Sequence, residues 1–272
     1  MRDLLMSEMR RALHRRAVWI LIALALIGVA TLGVIAFVSS AGKTLAELSE
    51  GGEDHPALMV NWWRAGGGDG ILVIAGLPLL LGAVFGGASV LGAEWKAGTM
   101  TTVLTWEPRR LRVHTVRLIS AFVLAVLIAF VLETLFLLAA LPAVLAHGST
   151  AGTDGEWWVS LIGAMVRIAL MTGSAAVLAG SLATIGRGTT FALGAIFGWI
   201  AIAENLIRGL KPGLKPHLLG ENLSIVLTWA PLSDVDFTRE VSVAVTALVG
   251  YVAVIVVVCA ASFVRRDVVG AS

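Results

Sequence analysis

Cysteine and charged residues are scarce in this sequence, and each shortage excludes a class of protein. Cys259 is the one cysteine among 272 residues, so one chain can form neither a disulfide nor a multi-cysteine zinc or iron–sulfur site. Only 14% of the residues are charged, against about 25% in soluble domains. The formal net charge of +2 is too small to indicate nucleic-acid binding. With 58% hydrophobic residues and a mean hydropathy of +0.90, the composition predicts an integral membrane protein.

Motifs for nucleotide binding and catalysis are also missing. Gly42-Lys43-Thr44 looks like the end of a phosphate-binding loop, but Phe37 stands where the earlier glycine is required. No HExxH pair is present, and the five histidines lie on separate segments. Spacing therefore suggests no metal site and no Ser/His/Asp or Cys/His set. We expect no enzymatic activity and no cofactor in this chain.

Long apolar runs are what the sequence has in abundance. A helix needs about 20 residues to cross roughly 30 Å of hydrocarbon. Six segments reach that length with no more than one internal charge each: 17–38, 71–93, 118–141, 157–184, 188–207 and 241–264. The fifth reaches it only by including Glu204. The sequence therefore predicts an all-α membrane protein, a single domain over 1–272 with six transmembrane helices.

The distribution of lysine and arginine predicts the orientation. With the N-terminus in the cytoplasm, thirteen of the 20 basic residues lie in cytoplasmic segments and six in outer segments. This is the asymmetry of the positive-inside rule. An even number of spans returns the C-terminus to the same side, so both termini are expected to be cytoplasmic. Sixteen arginines against four lysines suggest a GC-rich bacterial genome, and therefore the bacterial cytoplasmic membrane.

The segment before the first span, 1–16, has an amphipathic helical pattern. Leu5, Met9 and Leu13 share one face, and the arginines point away from it. Such a helix can lie on membrane lipids with its apolar side in the interface and its arginines on head groups. The alternative is a plain basic flank that only fixes the topology.

Two outer connections are longer than simple turns. In the first, 39–70, Trp62 and Trp63 are expected to lie in the head-group belt. In the last, about 209–239, the stretch from Leu223 to Ala230 is apolar but too short to cross. It is either a re-entrant or interfacial helix, or an ordinary ordered loop.

Glu133 and Arg167 are the conspicuous charges inside predicted spans, and each costs about 2.5–3.5 kcal/mol at a helix centre. Their backbones are expected to differ by roughly 7 Å in depth, which long side chains can bridge. One interpretation is a structural pair, in which case Glu133→Gln should lower stability and exchanging the two residues should recover part of it. The other is a polar spot lining a substrate path, or a proton site.

The most informative stretch joins the second and third spans, at 94–117. It has an acidic residue, a Gly-Thr turn, a leucine, a proline and a basic return: Glu94, Gly98, Thr99, Leu104, Pro108, then Arg109, Arg110 and Arg117. This pattern resembles the corresponding loop of the type-2 ATP-binding-cassette (ABC) permeases. The resemblance extends to six spans, a basic N-terminal helix and a long last outer loop, so it covers essentially the whole chain.

The resemblance implies that Trp95 to Glu107 form a coupling helix that docks into a cleft of a separate ATPase subunit. Trp95, Leu104 and Trp106 are expected to be exposed there and to supply an apolar contact, as aromatic and apolar anchors do at interfaces. The alternative is a positive-inside loop with a chance Gly-Thr, whose tryptophans anchor in head groups.

Two residues are expected to frame this short helix. Gly98 should turn the chain out of the second span, because glycine accepts backbone angles that a side chain penalises. Pro108 should end the helix, because it cannot continue one.

Taken with the missing nucleotide site, the resemblance implies the membrane subunit of an ABC exporter. It would work as a dimer with an identical or paralogous permease and two ATPase subunits, which would bind ATP and Mg. The cargo would be a hydrophobic or amphiphilic compound such as a drug, peptide or lipid-like molecule. The alternatives are an ion-coupled secondary carrier using Glu133 and Arg167, which should work without ATP, and a non-transporting membrane scaffold.

Overall fold

The computed structural model describes residues 2–50, 55–64, 70–98, 105, 107–234 and 237–265, and helices make up most of them. The helices are α1 (Arg2–Leu13), α2 (Arg16–Ser40), α3 (Leu45–Glu50), α4 (Ile71–Lys96), α5 (Arg110–His147), α6 (Gly155–Ile185), α7 (Thr189–Leu210), α8 (Leu219–Thr228) and α9 (Val241–Arg265). Within α7 there is one π-helical turn, Trp199–Ala203. Short 3-10 helices cover Met59–Trp62 and Pro212–His217.

Six of these helices are long and apolar enough to cross a membrane: α2, α4, α5, α6, α7 and α9. The all-α membrane class and the six expected spans are confirmed at this level. The 38 residues of α5 would measure about 57 Å, well beyond the roughly 30 Å of hydrocarbon. The helix α5 therefore extends beyond the predicted span 118–141 at both ends. On α2, apolar side chains such as Ile27 and Val34 are more than half exposed, as expected of a surface that lipid covers.

Small residues allow the two central helices to pack closely. A β-carbon added at Gly87 of α4 would lie 2.2 Å from the carbonyl oxygen of Ala176 on α6. Ala88 and Ala179 are fully buried at the same contact. Close backbone approach of this kind replaces the hydrophobic driving force that helices lack in lipid.

The helices meet at two distinct ends of the bundle. At the first lie α1, the described residues of the connection between α4 and α5 (97–98 and 107–109), and the C-terminal end of α9, where Phe263 packs edge-on against Trp95 at 5.9 Å. We call this the basic end. The opposite end holds the described residues of the connections between α2 and α4, between α5 and α6, and between α7 and α9, and we call it the loop end.

Trp62 and Trp63 are buried at the loop end and are not available to lipid head groups. They are 3% and 2% exposed and pack in a core with Leu72 and Ile168. The indole of Trp63 donates a hydrogen bond to Ser160 Oγ at 2.7 Å. The expectation of a head-group anchor was therefore wrong, because the loop folds back over the ends of α4 and α6.

The long last connection contains α8, which packs between the spans. A β-carbon at Gly76 of α4 would meet Leu227 and Ile168 at 3.2 and 3.1 Å, so α8 reaches well inside the bundle. The hydroxyl of Tyr251, inside α9, donates to the carbonyl of His217 just before α8. The helical conformation and this packing favour a re-entrant or interfacial helix over an ordinary ordered loop. A two-stranded antiparallel hairpin, Leu232–Asp234 with Phe237–Arg239, follows it.

Candidate functional site

Glu94 ties three helices together at the basic end. Its carboxylate lies 2.9 Å from Arg15 Nη2, 3.7 Å from Arg11 Nη1 and 2.6 Å from Arg117 Nη2. Arg15 also donates to the carbonyl of Ser89 at 3.1 Å. Glu94 is at the end of α4 and Arg117 near the start of α5, so the pairs link the two helices that flank the connection 97–109 to each other and to the α1–α2 corner.

Glu8 on α1 completes this group, which we call the charge cluster: Glu8, Arg11, Arg15, Glu94 and Arg117. Glu8 lies 3.0 Å from Arg11 and 3.8 Å from Arg117. Glu8, Glu94 and Arg117 are each no more than 6% exposed. Burial raises the pKa of the Glu8 carboxyl above its ordinary 4.5, although the guanidinium groups of Arg117 and Arg11 act in the opposite direction.

The residues expected to frame a coupling helix occupy different environments. Glu94 is buried in the charge cluster, so it can position neighbouring helices but cannot itself contact a partner's surface. Trp95 is partly buried against Phe263, and its ring lies 5.5 Å from the guanidinium of Arg187. The expectation of an exposed Trp95 was therefore wrong, because α4 continues through Lys96 and keeps the indole against α9.

Gly98 has the conformation expected of it. Its φ of +68° follows the end of α4, and this left-handed region favours glycine. Pro108 lies in the non-helical residues 107–109 immediately before α5. Thr99, Leu104 and Trp106, also predicted as contact residues, lie outside the described residues.

Glu133 faces a cavity of about 440 Å³ enclosed mainly by α2, α4 and α5. Its side chain is fully buried, and neither carboxylate oxygen has a hydrogen-bond partner among the residues that the structure describes. Among the lining residues that the structure describes, Glu133 is the one charged side chain, and Thr172 is the one other polar side chain. The Thr172 hydroxyl already donates to Ile168 O at 2.8 Å.

Arg167 lies between two indole rings and not in an ion pair with Glu133. Its guanidinium carbon is 4.8 Å from the ring centre of Trp63 and 4.5 Å from that of Trp229. No ion pair within 4.0 Å joins it to Glu133, and both residues are within the described part of the chain. The structural-pair interpretation therefore lacks its contact. Trp229 is held in position by an unusual left-handed backbone, with φ of 57°, at the end of α8.

Glu204 is a buried carboxylate that sequence reasoning counted only as part of the fifth span. It accepts hydrogen bonds from the backbone N–H of Leu219 at 2.7 Å, from that of Gly220 at 3.1 Å and from the Trp199 indole at 3.0 Å. The first two are unpaired N–H groups at the start of α8, where a negative charge also complements the helix dipole. Glu204 thus fixes α8 to α7. The only sequence signal was a carboxylate inside an otherwise apolar run.

No protein-family model and no curated protein matches this chain. The resemblance to type-2 ABC permeases therefore depends on the sequence pattern alone.

Proposed function

We propose that this chain is the membrane-spanning permease subunit of an ATP-driven ABC exporter. It works as a dimer with an identical or paralogous permease, and two separate ATPase subunits bind ATP and Mg at the basic end. The cargo is a hydrophobic or amphiphilic compound. The protein belongs in the bacterial cytoplasmic membrane with both termini in the cytoplasm, and ATP hydrolysis takes place in its partner.

The charge cluster is the observation that supports this proposal best. A subunit without a nucleotide site must receive mechanical work through a contact with its partner. The connection 97–109 is where such a contact is expected, and the two helices that flank it are joined through Glu94 and Arg117. Arg15 and Arg11 extend the linkage to α1. Because these side chains are mostly buried, displacement of the connection would move α1, α4 and α5 together rather than bending one loop.

The arrangement of the intramembrane charges weighs against the secondary-carrier alternative. That alternative uses Glu133 and Arg167 together, and no ion pair within 4.0 Å joins these two described residues. Arg167 is instead held by two tryptophan rings, and Glu133 faces a separate cavity.

The test is co-purification of the affinity-tagged full chain from its native membranes. We expect an ABC ATPase subunit at one copy per chain, quantified by mass spectrometry. Leu104→Asp should leave the chain folded and inserted but release the ATPase, because a charge enters the expected apolar contact. Leu214→Asp is the matched control, since Leu214 is 45% exposed in the connection at the opposite end.

Two results would contradict the proposal. If the tagged wild-type chain recovers no more ATPase than an untagged control does, the proposed ATPase partner is absent. Leu104→Asp chain that retains the ATPase at wild-type stoichiometry shows that the coupling segment is wrongly assigned.

A further inference from the structure

The cavity beside Glu133 opens on the lateral surface of the bundle. Leu24 of α2 and Leu81 of α4 line it and are 60% and 49% exposed, so they mark its mouth. Phe136 and Glu133 lie at its buried side, 6% and 0% exposed. Because α2 and α4 are both long and apolar enough to cross a membrane, we expect this mouth to face lipid and not water. A ligand would enter from the bilayer.

The glycines of the cavity wall leave space that nothing in the described chain fills. A β-carbon at Gly28 or at Gly82 would meet no atom within 4 Å. A volume of about 440 Å³ is within the range of sites for drug-sized ligands, roughly 300–1,000 Å³. The cavity is therefore large enough for a small organic molecule.

The polarity of the cavity selects the charge of its ligand. Its walls are apolar apart from Thr172, whose hydroxyl is already bonded, and Glu133. A fully buried carboxylate without a hydrogen bond or an ion pair within 4.0 Å is costly, because it has lost its water without gaining a partner. A cation entering the cavity would supply that partner, whereas an anion would be repelled. An apolar body around the positive charge would fill the rest.

We propose that this cavity binds a lipophilic monovalent cation, an organic ammonium or phosphonium, with Glu133 as its counter-ion. The claim that this cavity is the substrate site of an exporter rests on the proposed function. It narrows the proposed cargo to cationic amphiphiles. Binding itself requires neither ATP nor a partner. It therefore can be tested separately from export.

The experiment measures equilibrium binding of radiolabelled tetraphenylphosphonium to the purified full chain in lipid nanodiscs, without ATP or ATPase. We expect saturable binding of one cation per chain. Tetraphenylborate has nearly the same shape and the opposite charge, and when its binding is measured alone, in a separate sample, it should not bind saturably. Glu133→Gln should weaken binding about tenfold or more, since it removes the charge and keeps the side-chain shape. The control Glu156→Gln, at an exposed position on α6, should bind like wild type.

A second pair of variants tests the cavity by its volume. Gly82→Leu should abolish binding by filling the cavity. Gly163→Leu is its control, because Gly163 is an exposed α6 glycine with equally open surroundings that does not line the cavity. This pair tests whether the cation binds in the cavity even if Glu133→Gln fails to fold.

The proposal is overturned if wild-type chain shows no saturable binding of the cation, or if tetraphenylborate, measured alone, binds with the same affinity. It is also overturned if folded Glu133→Gln or Gly82→Leu chain binds with unchanged affinity. Cation binding without any co-purifying ATPase would uphold this site and reject the export proposal. A co-purifying ATPase without cation binding would uphold the export proposal and reject this binding site.

Discussion

At the scale of single residues, three charges that look alike in the sequence meet three different environments. Arg167 is held by the faces of two indole rings, and Glu204 by two backbone N–H groups and a third indole. Glu133 has no hydrogen bond to any residue that the structure describes. Arg167 has cation–π partners and Glu204 has hydrogen bonds, although Nε and Nη2 of Arg167 also lack a hydrogen-bond partner in the described part of the chain. Glu133 has neither kind of partner there, and it faces a cavity that a ligand can enter.

Arg167→Lys should lower the free energy of unfolding by about 0.5–2 kcal/mol, because an ammonium cannot stack flat on both rings. Thermal unfolding of purified protein in detergent would measure this. Trp229→Leu should cause a similar loss, and the double variant should lose less than the sum because both changes remove one contact. Arg16→Lys, at an exposed position, is the control. Equal stability of Arg167→Lys and wild type would show that the stacking contributes nothing.

Exchanging Glu133 and Arg167 gives a further test of the same environment. The structural-pair interpretation expected the exchange to recover stability. We now expect no recovery, because a carboxylate at position 167 would face the negative ring faces of Trp63 and Trp229. Recovery in the same unfolding measurement would restore the ion-pair interpretation.

Gly98→Ala should destabilise the protein by about 1–2 kcal/mol, because an L side chain is penalised at a left-handed backbone position. The relevant angle is the φ of +68° after α4. Gly163→Ala is a control that should change stability in the opposite direction. Alanine at a helical glycine in open surroundings should raise the free energy of unfolding by about 0.5–1 kcal/mol. Chemical unfolding of both variants would check the signs. Equal changes would argue against a strained turn at Gly98.

At the scale of elements, α1 packs against the bundle with a face that includes the buried Glu8 as well as apolar residues. Glu8 and Ala12 are its buried residues, and Leu5, Met9 and Leu13 are only partly buried. The sequence pattern predicted the helix correctly but assigned its contact face to the leucines and methionine. In the sequence, the Glu8 carboxylate looks like part of a basic flank, because its partner Arg117 comes from another helix.

The raised pKa of Glu8 makes the docking of α1 depend on pH. An undocked Glu8 has its ordinary pKa of 4.5 and a docked one a higher pKa, so the docked state binds protons more tightly. The contribution of Glu8 to docking is therefore full below pH 4.5 and is lost as the pH rises through the raised pKa. Glu8→Gln should remove this dependence and tighten docking at neutral pH.

A spin label at exposed Met6→Cys would report the docking of α1, because an undocked helix moves faster. The native Cys259 is buried and should not react. Glu47→Gln, in the exposed helix α3, should leave the pH dependence unchanged. Label mobility that rises as the pH falls, in wild type, would reverse the expected sign.

At the scale of the whole molecule, the helices were predictable and their side-chain partners were not. The six apolar runs determine where helices form, because each must satisfy its backbone internally in lipid. The contacts of Arg167 come from Trp63 and Trp229, which reach it only after two loop-end connections fold between the spans. Glu94 likewise looked like the edge of a surface loop until α1 covered it. Local pattern carries no information on such long-range contacts.

The orientation of the bundle is a prediction from charge alone, and cysteine labelling can test it. The native Cys259 is fully buried, so the maleimide should not label it. Ser7 and Ala97 are exposed at the basic end, and Ser49 and Thr150 at the loop end. In intact cells a membrane-impermeant maleimide should label Ser49→Cys and Thr150→Cys. It should label Ser7→Cys and Ala97→Cys only after the cells are permeabilised, because the basic end is retained in the cytoplasm. The reverse pattern would invert the topology and place the proposed ATPase contact on the wrong side. Labelling of Ser7→Cys without Ala97→Cys would mean that α2 and α4 do not both cross, contradicting the six-span arrangement.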